Sequence, residues 1–85
     1  DIKDELLDIL KKEDIDYITF TSSSTVKYLV EILGDDKDLI RDIKKVSIGS
    51  VTSQTIRDLG FDLDIEADQA SIDSMILAIL EDVNK

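Results

Sequence analysis

Apolar residues recur at helical spacing in four segments of the chain. The most regular stripe runs from Ile72 to Val83, and Val26 to Leu33 repeats apolar residues at i, i+3, i+4 and i+7. The segment that ends near Lys12 shares this periodicity, and Ser50 to Leu59 is a shorter, less apolar version of it. Because this spacing places apolar side chains on one face of an α-helix, four helices are predicted.

Glycines and acids mark where some of these helices begin and end. Gly34 closes the second helix and Gly60 the third, since glycine ends a helix in a left-handed conformation at little cost. The acids of the segment Asp35 to Asp38 can cap a further short helix. That segment is not followed by the glycine and terminal glutamate of a calcium-binding EF-hand loop, so helix caps are predicted there.

Three other segments have the pattern of β-strands. Tyr17 to Phe20 is a nearly continuous β-prone run, as in a strand covered on both faces of a parallel sheet, and Val46 to Ile48 follow as a second strand. Between Phe61 and Ala67 apolar residues alternate with Asp62, Asp64 and Glu66, which predicts a strand with one solvated face. Those acids discourage pairing with another chain, so this strand is placed at a sheet edge. We expect the acids to point across the sheet and not towards its carboxyl end.

The alternation of helices and strands predicts an α/β fold with right-handed crossovers. We expect residues 1–85 to form a single α/β domain fragment with a three-stranded parallel sheet in sequence order, flanked by helices. This is an incomplete half of a doubly wound, flavodoxin-like domain. The strand from Tyr17 to Thr21 is apolar throughout yet would lie at an edge of the sheet. We therefore expect further strands to pair with it, or the isolated chain to self-associate along that edge.

Two of the predicted strands run into Ser/Thr-rich turns that open helices. The segment Ile18 to Val26 reads ITFTSSSTV, and Val46 to Ser53 reads VSIGSVTS. The free backbone N–H groups in the first turn of a helix carry partial positive charge, and neighbouring hydroxyls add donors that suit carboxylate or phosphate oxygens. Ligands of parallel α/β sheets bind outside the carboxyl ends of the strands. The two turns therefore predict a ligand with several anionic groups.

Composition narrows the chemistry further. The chain has no His and no Cys, which excludes disulfides, thiolate nucleophiles and the usual catalytic triads and disfavours a zinc site. Twenty acidic and ten basic residues give a net charge of −10, which argues against nucleic acid and also opposes an anionic ligand. The longest apolar run, Met75 to Leu80, is too short to span a membrane. The chain begins at Asp1 without a methionine or a leader, so we expect it to be a piece of a longer polypeptide.

Three motifs together resemble a known family. They are DIDYITFTSSSTV (Asp14 to Val26), VSIGSVTSQTIRDLGF (Val46 to Phe61) and DIEADQASIDSM (Asp64 to Met75). Their order and spacing are similar to the C-terminal portion of the uroporphyrinogen-III synthase family, and the resemblance covers essentially the whole chain. It implies a lyase of porphyrin and heme biosynthesis that cyclises the linear tetrapyrrole hydroxymethylbilane and inverts its last pyrrole ring.

The resemblance also implies how the chain fits into a larger protein. In that family two α/β domains are joined by a two-stranded linker, and one domain combines N-terminal strands with the C-terminal segment. The partners expected for this chain are the bilane substrate and the missing strands and second domain of the same polypeptide. No metal, organic cofactor, nucleic acid or membrane is implied, the location is cytoplasmic, and the isolated fragment is expected to be inactive.

By match to the motifs, the two turns would each grip substrate carboxylates, and no catalytic side chain is assigned. The first turn would use Thr21, Ser22, Ser23 and Ser24, and the second Gly49, Ser50, Val51 and Thr52. Gly49 would let the backbone approach the ligand closely. Taken singly, Ser22, Ser23 or Ser50 is more often an ordinary helix cap than a ligand contact, and the pairing of the turns with the motif match favours ligand contacts. A non-catalytic, flavodoxin-like module that binds an anion or phosphate is the alternative function.

Overall fold

The structure is a computed structural model that describes residues 1–85. Its elements are, in order, α1 (Ile2–Lys12), β1 (Tyr17–Phe20), α2 (Ser23–Leu33), a 3₁₀ helix (Gly34–Ile40), β2 (Lys44–Ser47), α3 (Ser50–Asp58), β3 (Ile65–Glu66) and α4 (Ile72–Val83). The four predicted α-helices are confirmed, and the predicted short helix is the 3₁₀ helix. No helix of the chain combines the length and the apolar character needed to cross a membrane.

The sheet has the predicted order β1-β2-β3, and both strand pairs are parallel. Tyr17 lies opposite Lys44, and Phe20 lies opposite Ser47, so β1 and β2 begin and end at the same level. On the other side of β2, Ser47 lies opposite Glu66 of β3. The prediction of a three-stranded parallel α/β sheet is therefore confirmed, with β1 and β3 as its two edges.

Helices cover both faces of the sheet. On one face α2, α3 and the 3₁₀ helix enclose the larger core, and α1 packs on its outside. The buried side chains of this larger core are Phe20, Val26, Leu33, Ile40, Ile43, Ile56 and Phe61. On the other face α4 alone packs on the sheet, where Met75 contacts Val46 and Ala67. Strand residues serve the two cores alternately, as the period of two in a β-strand requires.

The ends of the α-helices follow the local signals in the sequence, whereas the 3₁₀ helix has no side-chain cap, so the prediction that the acids from Asp35 to Asp38 cap it is wrong. Ser22 caps α2 by accepting a hydrogen bond from the N–H of Thr25 at 3.2 Å. Gly34 has a φ of 53° at the end of α2, and Gly60 has a φ of 91° after α3. Both values lie in the left-handed region that side chains with a Cβ avoid. The two glycines are therefore confirmed as the stop signals of these helices.

The third strand is much shorter than predicted. We expected it to run from Phe61 to Ala67, whereas only Ile65 and Glu66 are in strand conformation. Phe61 is buried in the larger core, and its N–H donates to the carbonyl of Ile56 in α3 at 3.2 Å. The start of the segment therefore belongs to the end of α3 and does not lie beside β2. The predicted alternation of burial holds, since Phe61 and Ala67 are buried and the three acids between them are exposed.

A buried lysine was not predicted from the sequence. Lys45 is only 1% exposed, and its ammonium donates to the carbonyls of Ile40 at 2.6 Å, Arg41 at 3.0 Å and Ile43 at 2.6 Å. These carbonyls lie at the end of the 3₁₀ helix and just after it, where some have no partner within the helix. Loss of water around the ammonium lowers the pKa of Lys45. The three charge-assisted hydrogen bonds offset this cost and close the end of the helix.

A polar cluster fixes the C-terminal end of α4 to the sheet. Asp82 accepts hydrogen bonds from the Tyr17 hydroxyl and the Lys44 ammonium through the same oxygen, each at 2.6 Å. The hydrogen bonds from Lys44 and Tyr17 lower the pKa of Asp82. The same carboxylate raises the pKa of both partners, because each holds its proton more tightly beside a negative charge.

This cluster predicts a dependence of stability on pH. A carboxyl whose pKa is lowered by folding stabilises the folded state above its ordinary pKa of 3.8, and this contribution is lost as the pH falls through the lowered value. The difference in urea midpoint between the wild type and Asp82→Asn should therefore be largest near neutral pH and shrink below about pH 4.

Glu81→Gln is the matched control, because Glu81 is an exposed acid on the same helix. Its urea midpoints should follow those of the wild type throughout this range of pH. A constant difference between wild type and Asp82→Asn, down to the most acidic point at which the chain is folded, would contradict the assignment.

Candidate functional site

The two Ser/Thr turns lie side by side at the carboxyl end of the sheet. β1 and β2 end at the paired residues Phe20 and Ser47, and the next amide, that of Ile48, donates to the carbonyl of Phe20 at 3.1 Å. α2 then starts at Ser23 and α3 at Ser50. Two helix N-termini are thus presented at the end of the sheet where ligands of parallel α/β folds bind.

Direct hydrogen bonds join the two turns. The hydroxyl of Ser23 donates to the carbonyl of Val51 at 3.3 Å, and the hydroxyl of Thr55 donates to that of Ser23 at 2.8 Å. These bonds connect the first turn of α2 with the first two turns of α3, and the two helices also pack against each other. The hydroxyl of Ser23, predicted to bind a ligand, is therefore used to hold the two turns together.

In the rest of the first turn, some hydroxyls cap the helix and others make no hydrogen bond. The side chain of Ser22 caps the helix through the N–H of Thr25, and the Thr25 hydroxyl donates to the carbonyl of Ser22 at 2.7 Å. Thr21 and Ser24 are exposed, and their hydroxyls make no hydrogen bond within the chain. Of the four predicted contacts in this turn, Thr21 and Ser24 therefore have free side chains.

The second turn is more open than the first. α3 begins after Gly49, which offers no side-chain cap, so the N–H groups of Ser50, Val51 and Thr52 have no partner in the chain. Thr52 is only 4% exposed, and its hydroxyl makes no hydrogen bond. Because no fully buried side-chain polar atom lacks a partner, the Thr52 hydroxyl must be the part of this residue that reaches solvent. The turn therefore combines three free amides with an unbonded hydroxyl on a largely buried side chain.

Gly49 itself does not have the conformation that requires glycine. Its φ of −175° and ψ of −179° are extended, and a Cβ built on it would have no atom within 4 Å. Its N–H donates to the Ser47 hydroxyl at 3.1 Å and is not free for a ligand. The space beside Gly49 is open, which is compatible with the close approach of a ligand that we predicted.

The acidic residues of the chain are distributed unevenly among the helix N-termini. α1 carries Asp4 and Glu5 in its first turn, and α4 carries Asp73, whereas the first turns of α2 and α3 contain no acid. An acid in the first turn would partly neutralise the positive end of the helix. The two helices of the candidate site therefore keep their anion-attracting ends despite the net charge of −10.

One acid nevertheless reaches the carboxyl end of the sheet, contrary to our expectation. The Oε1 atom of Glu66 accepts a hydrogen bond from the Ser53 hydroxyl of α3 at 2.6 Å. The cause is the register of β3, which places Glu66 opposite Ser47, the last residue of β2. Asp64 is also engaged, since its carboxylate accepts from the N–H of Lys45 at 2.8 Å. The prediction that all three acids point across the sheet is wrong for Glu66.

A buried pair of hydroxyls lies beneath the second turn and was missed by sequence reasoning. Ser47 and Ser53 are both 0% exposed, and their oxygens are 2.7 Å apart. The hydroxyls of Ser47 and Ser53 lie 2.6 Å and 3.0 Å from the carbonyl of Gly49. Both serines belong to the VSIGSVTS motif, but nothing in that motif shows that one ends a strand directly below the other.

A surface groove of about 330 Å³ lies between β3 and α4, and none of the residues of the two turns lines it. Carboxylates dominate its lining, and they belong to Asp64, Glu66, Asp68, Glu81 and Asp82. Like charges repel, so this groove does not suit a ligand that carries carboxylates. The open turn of α3 is the better candidate for such a ligand.

Comparison with known families identifies the family to which the chain belongs. The family model described as uroporphyrinogen-III synthase HemD matches residues 1–77. The chain belongs to the uroporphyrinogen-III synthase family. No individual curated protein matches it. The match supports a uroporphyrinogen-III synthase-type role and a tetrapyrrole substrate for the family, and it includes both turns described above.

In this uroporphyrinogen-III synthase family member, the Ser23 hydroxyl is hydrogen-bonded between the two turns and the Ser24 hydroxyl is free. Substituting each serine tests this difference. Ser23→Ala removes the bridging hydroxyl and should lower the free energy of unfolding by about 1 kcal/mol, as expected for the loss of one hydrogen-bonded group. Ser24→Ala removes an exposed hydroxyl without a partner and should change stability by less than about 0.5 kcal/mol. Urea unfolding of both variants is the measurement, and equal effects would contradict the bridge.

Proposed function

We propose that this chain is part of a uroporphyrinogen-III synthase, the lyase that cyclises hydroxymethylbilane to uroporphyrinogen III with inversion of the last pyrrole ring. The observation that carries the proposal is the open first turn of α3 in a chain that belongs to this family. Its three free amides and the Thr52 hydroxyl suit a carboxylate, and a tetrapyrrole with acetate and propionate groups presents several of them.

The role assigned to the site is to hold the substrate in the conformation that closes. The second turn, from Gly49 to Thr52, would grip one carboxylate with its amides and the Thr52 hydroxyl. The first turn would grip another through Thr21, Ser24 and the free amides of α2, while Ser22 and Ser23 fix the turn itself. Binding one bilane molecule at two of its carboxylates restricts the conformations of that molecule. Such preorganisation lowers the barrier to ring closure.

The open edge of the sheet supports the proposal that further strands of the same polypeptide complete this domain. β1 pairs only with β2, and Thr19 in its middle is exposed. On α4 an exposed apolar stripe adjoins the core, formed by Ile72, Ile76, Leu80 and Val83. Because an α-helix has 3.6 residues per turn, this stripe lies on the opposite side of α4 from Ala78 and Glu81. Those two residues line the groove beside β3. The stripe therefore faces the edge of the sheet that β1 forms.

The proposal has one consequence for the isolated chain and one for the location of the whole protein. The second domain would form the other wall of the cleft, so the 85 residues alone should bind substrate weakly and catalyse no turnover. A synthase of tetrapyrrole biosynthesis is expected to act in the cytoplasm.

Substitution of Thr52 tests the proposed grip on the substrate. In a polypeptide that adds the N-terminal strands and the second domain, Thr52→Ala should raise the barrier to bilane closure by about 1 to 3 kcal/mol, because positioning is shared among many donors. Thr52→Ser keeps the hydroxyl and should be close to wild type. The measurement is the rate of closure with the isomer of the product resolved. Unchanged turnover in Thr52→Ala would contradict the proposed contact, and complete loss would require a chemical role that we have not assigned.

Gly49→Ala tests whether a ligand approaches the backbone at this turn. The extended φ and the empty space that a methyl group would occupy predict that stability changes by less than about 0.5 kcal/mol. A bound ligand would meet the added methyl group, so the affinity for uroporphyrinogen III should fall. Equal affinity of wild type and Gly49→Ala, measured by titration calorimetry, would argue against close approach at this residue.

The unpaired edge gives a further prediction for the isolated chain. At high protein concentration the chain should self-associate along β1, because free N–H and C=O groups of an edge strand pair readily with another chain. Sedimentation equilibrium should show a mass above that of the monomer, and amides between Tyr17 and Thr21 should exchange more slowly as concentration rises. A monomer at every concentration, with fast exchange in this segment, would contradict it.

A further inference from the structure

Glu66 is an exposed acid whose carboxylate is bound to a fully buried hydroxyl. The Oε1 atom of Glu66 lies 2.6 Å from the Oγ of Ser53, which is 0% exposed. This short distance is typical of a hydroxyl that donates to an ionised acceptor, which is a stronger bond than one between neutral groups. Glu66 is therefore the acceptor that the Ser53 hydroxyl prefers.

That preference sets the direction of a chain of hydrogen bonds beneath the α3 turn. A serine hydroxyl has one hydrogen to donate and can accept from others. If Ser53 donates to Glu66, its oxygen is free to accept from Ser47, which lies 2.7 Å away. The Ser47 hydroxyl also lies 2.6 Å from the carbonyl of Gly49, but that carbonyl already accepts from the Ser53 N–H, so we assign the Ser47 hydrogen to Ser53. Ser47 in turn accepts from the N–H of Gly49 at 3.1 Å. The donors then run in one direction from Gly49 through Ser47 and Ser53 to the carboxylate.

We infer that Glu66 is a positioning residue for the anion-binding turn of α3, and that it acts through Ser53 and Ser47 on the backbone of Gly49. This inference rests on the proposed function for its link to substrate, although the hydrogen-bond chain itself does not. With the amide of Gly49 directed inward, the N–H groups of Ser50 to Thr52 are those that face outward to a ligand.

The other acceptors within reach of the Ser53 hydroxyl show why the Glu66 carboxylate is needed to fix the direction of its hydrogen bond. The Ser53 hydroxyl also lies 3.0 Å from the carbonyl of Gly49, and that carbonyl already accepts from the Ser53 N–H at 3.0 Å. Without Glu66, the Ser53 hydroxyl could donate to this carbonyl while it accepts from Ser47, or it could donate to Ser47 while Ser47 donates to the carbonyl at 2.6 Å. The turn would then have two exchanging arrangements of hydroxyl hydrogens, and bonds in such a chain weaken one another when one of them is lost.

Hydrogen exchange of the Gly49 amide in the 85-residue chain tests this directly. Glu66→Ala should speed this exchange about twofold to tenfold, the range expected when a hydrogen bond between neutral groups is lost, because the Gly49 amide donates to the Ser47 hydroxyl. Glu66→Gln keeps an acceptor oxygen but loses the charge that strengthens the bond from Ser53, so its exchange rate should lie between those of wild type and Glu66→Ala. Asp64→Asn is the matched control, because Asp64 accepts from the Lys45 amide just before the same short strand. An unchanged rate in Glu66→Ala, or an equal increase in all amides of the chain, would overturn the inference.

Affinity for uroporphyrinogen III separates positioning from simple repulsion. If Glu66 only adds negative charge near the site, both Glu66→Ala and Glu66→Gln should bind the ligand more tightly. If Glu66 positions the turn, Glu66→Gln should bind at least as tightly as wild type and Glu66→Ala should bind at least about threefold more weakly. Tighter binding by both variants would overturn the inference. Absence of binding by the wild type would count against the proposed function, while exchange at Gly49 would still decide the role of Glu66.

Discussion

The parallel register between β1 and β2 is the constraint on which the site depends. Phe20 and Ser47 are paired at the ends of their strands, and each following helix begins at the third residue beyond, Ser23 in α2 and Ser50 in α3. Equal spacing after paired strand ends brings the two helix N-termini to the same level. The hydrogen bond from Ser23 to Val51 joins the two turns in this arrangement. A shift of the register by one residue would also reverse which side chains face each core.

The placement of charge reconciles an acidic chain with an anionic ligand. Most of the acidic residues are exposed and lie on α1, around the 3₁₀ helix, after α3 and along α4, and none lies in the first turns of α2 and α3. Because exposed charges are screened over about 10 Å at ordinary ionic strength, local groups dominate the potential at these turns. The carboxylate of Glu66, which lies opposite the last residue of β2, is bound to Ser53.

Local sequence signals predicted most of the fold but not the length of β3. The four helices, the ends at Gly34 and Gly60 and the strand from Tyr17 to Phe20 follow from periodicity and from glycine stereochemistry. The alternating segment after Gly60 gave the correct pattern of burial but too long a strand. Its first residue, Phe61, is drawn into the core beneath α3, and this depends on tertiary packing that alternation does not encode.

The groups that support the candidate site were harder to predict for a similar reason. The motif match indicated the right turns, but it could not distinguish Ser23, which bridges them, from Ser24, which is free. Nor could it show that Ser53 meets Glu66. Those two residues lie 13 positions apart and meet only because β3 pairs with β2. Contacts of this kind depend on strand register, which a single sequence specifies only indirectly.

The most direct test of the account is a map of backbone amide shifts in the labelled chain during titration with uroporphyrinogen III. The account predicts saturable shifts confined to the two turns, largest for Ser50 to Thr52 and present for Ser22 to Ser24. Shifts confined to the groove between β3 and α4, or none at either turn at saturating ligand, would contradict the claim that these helix N-termini bind the carboxylates of a tetrapyrrole.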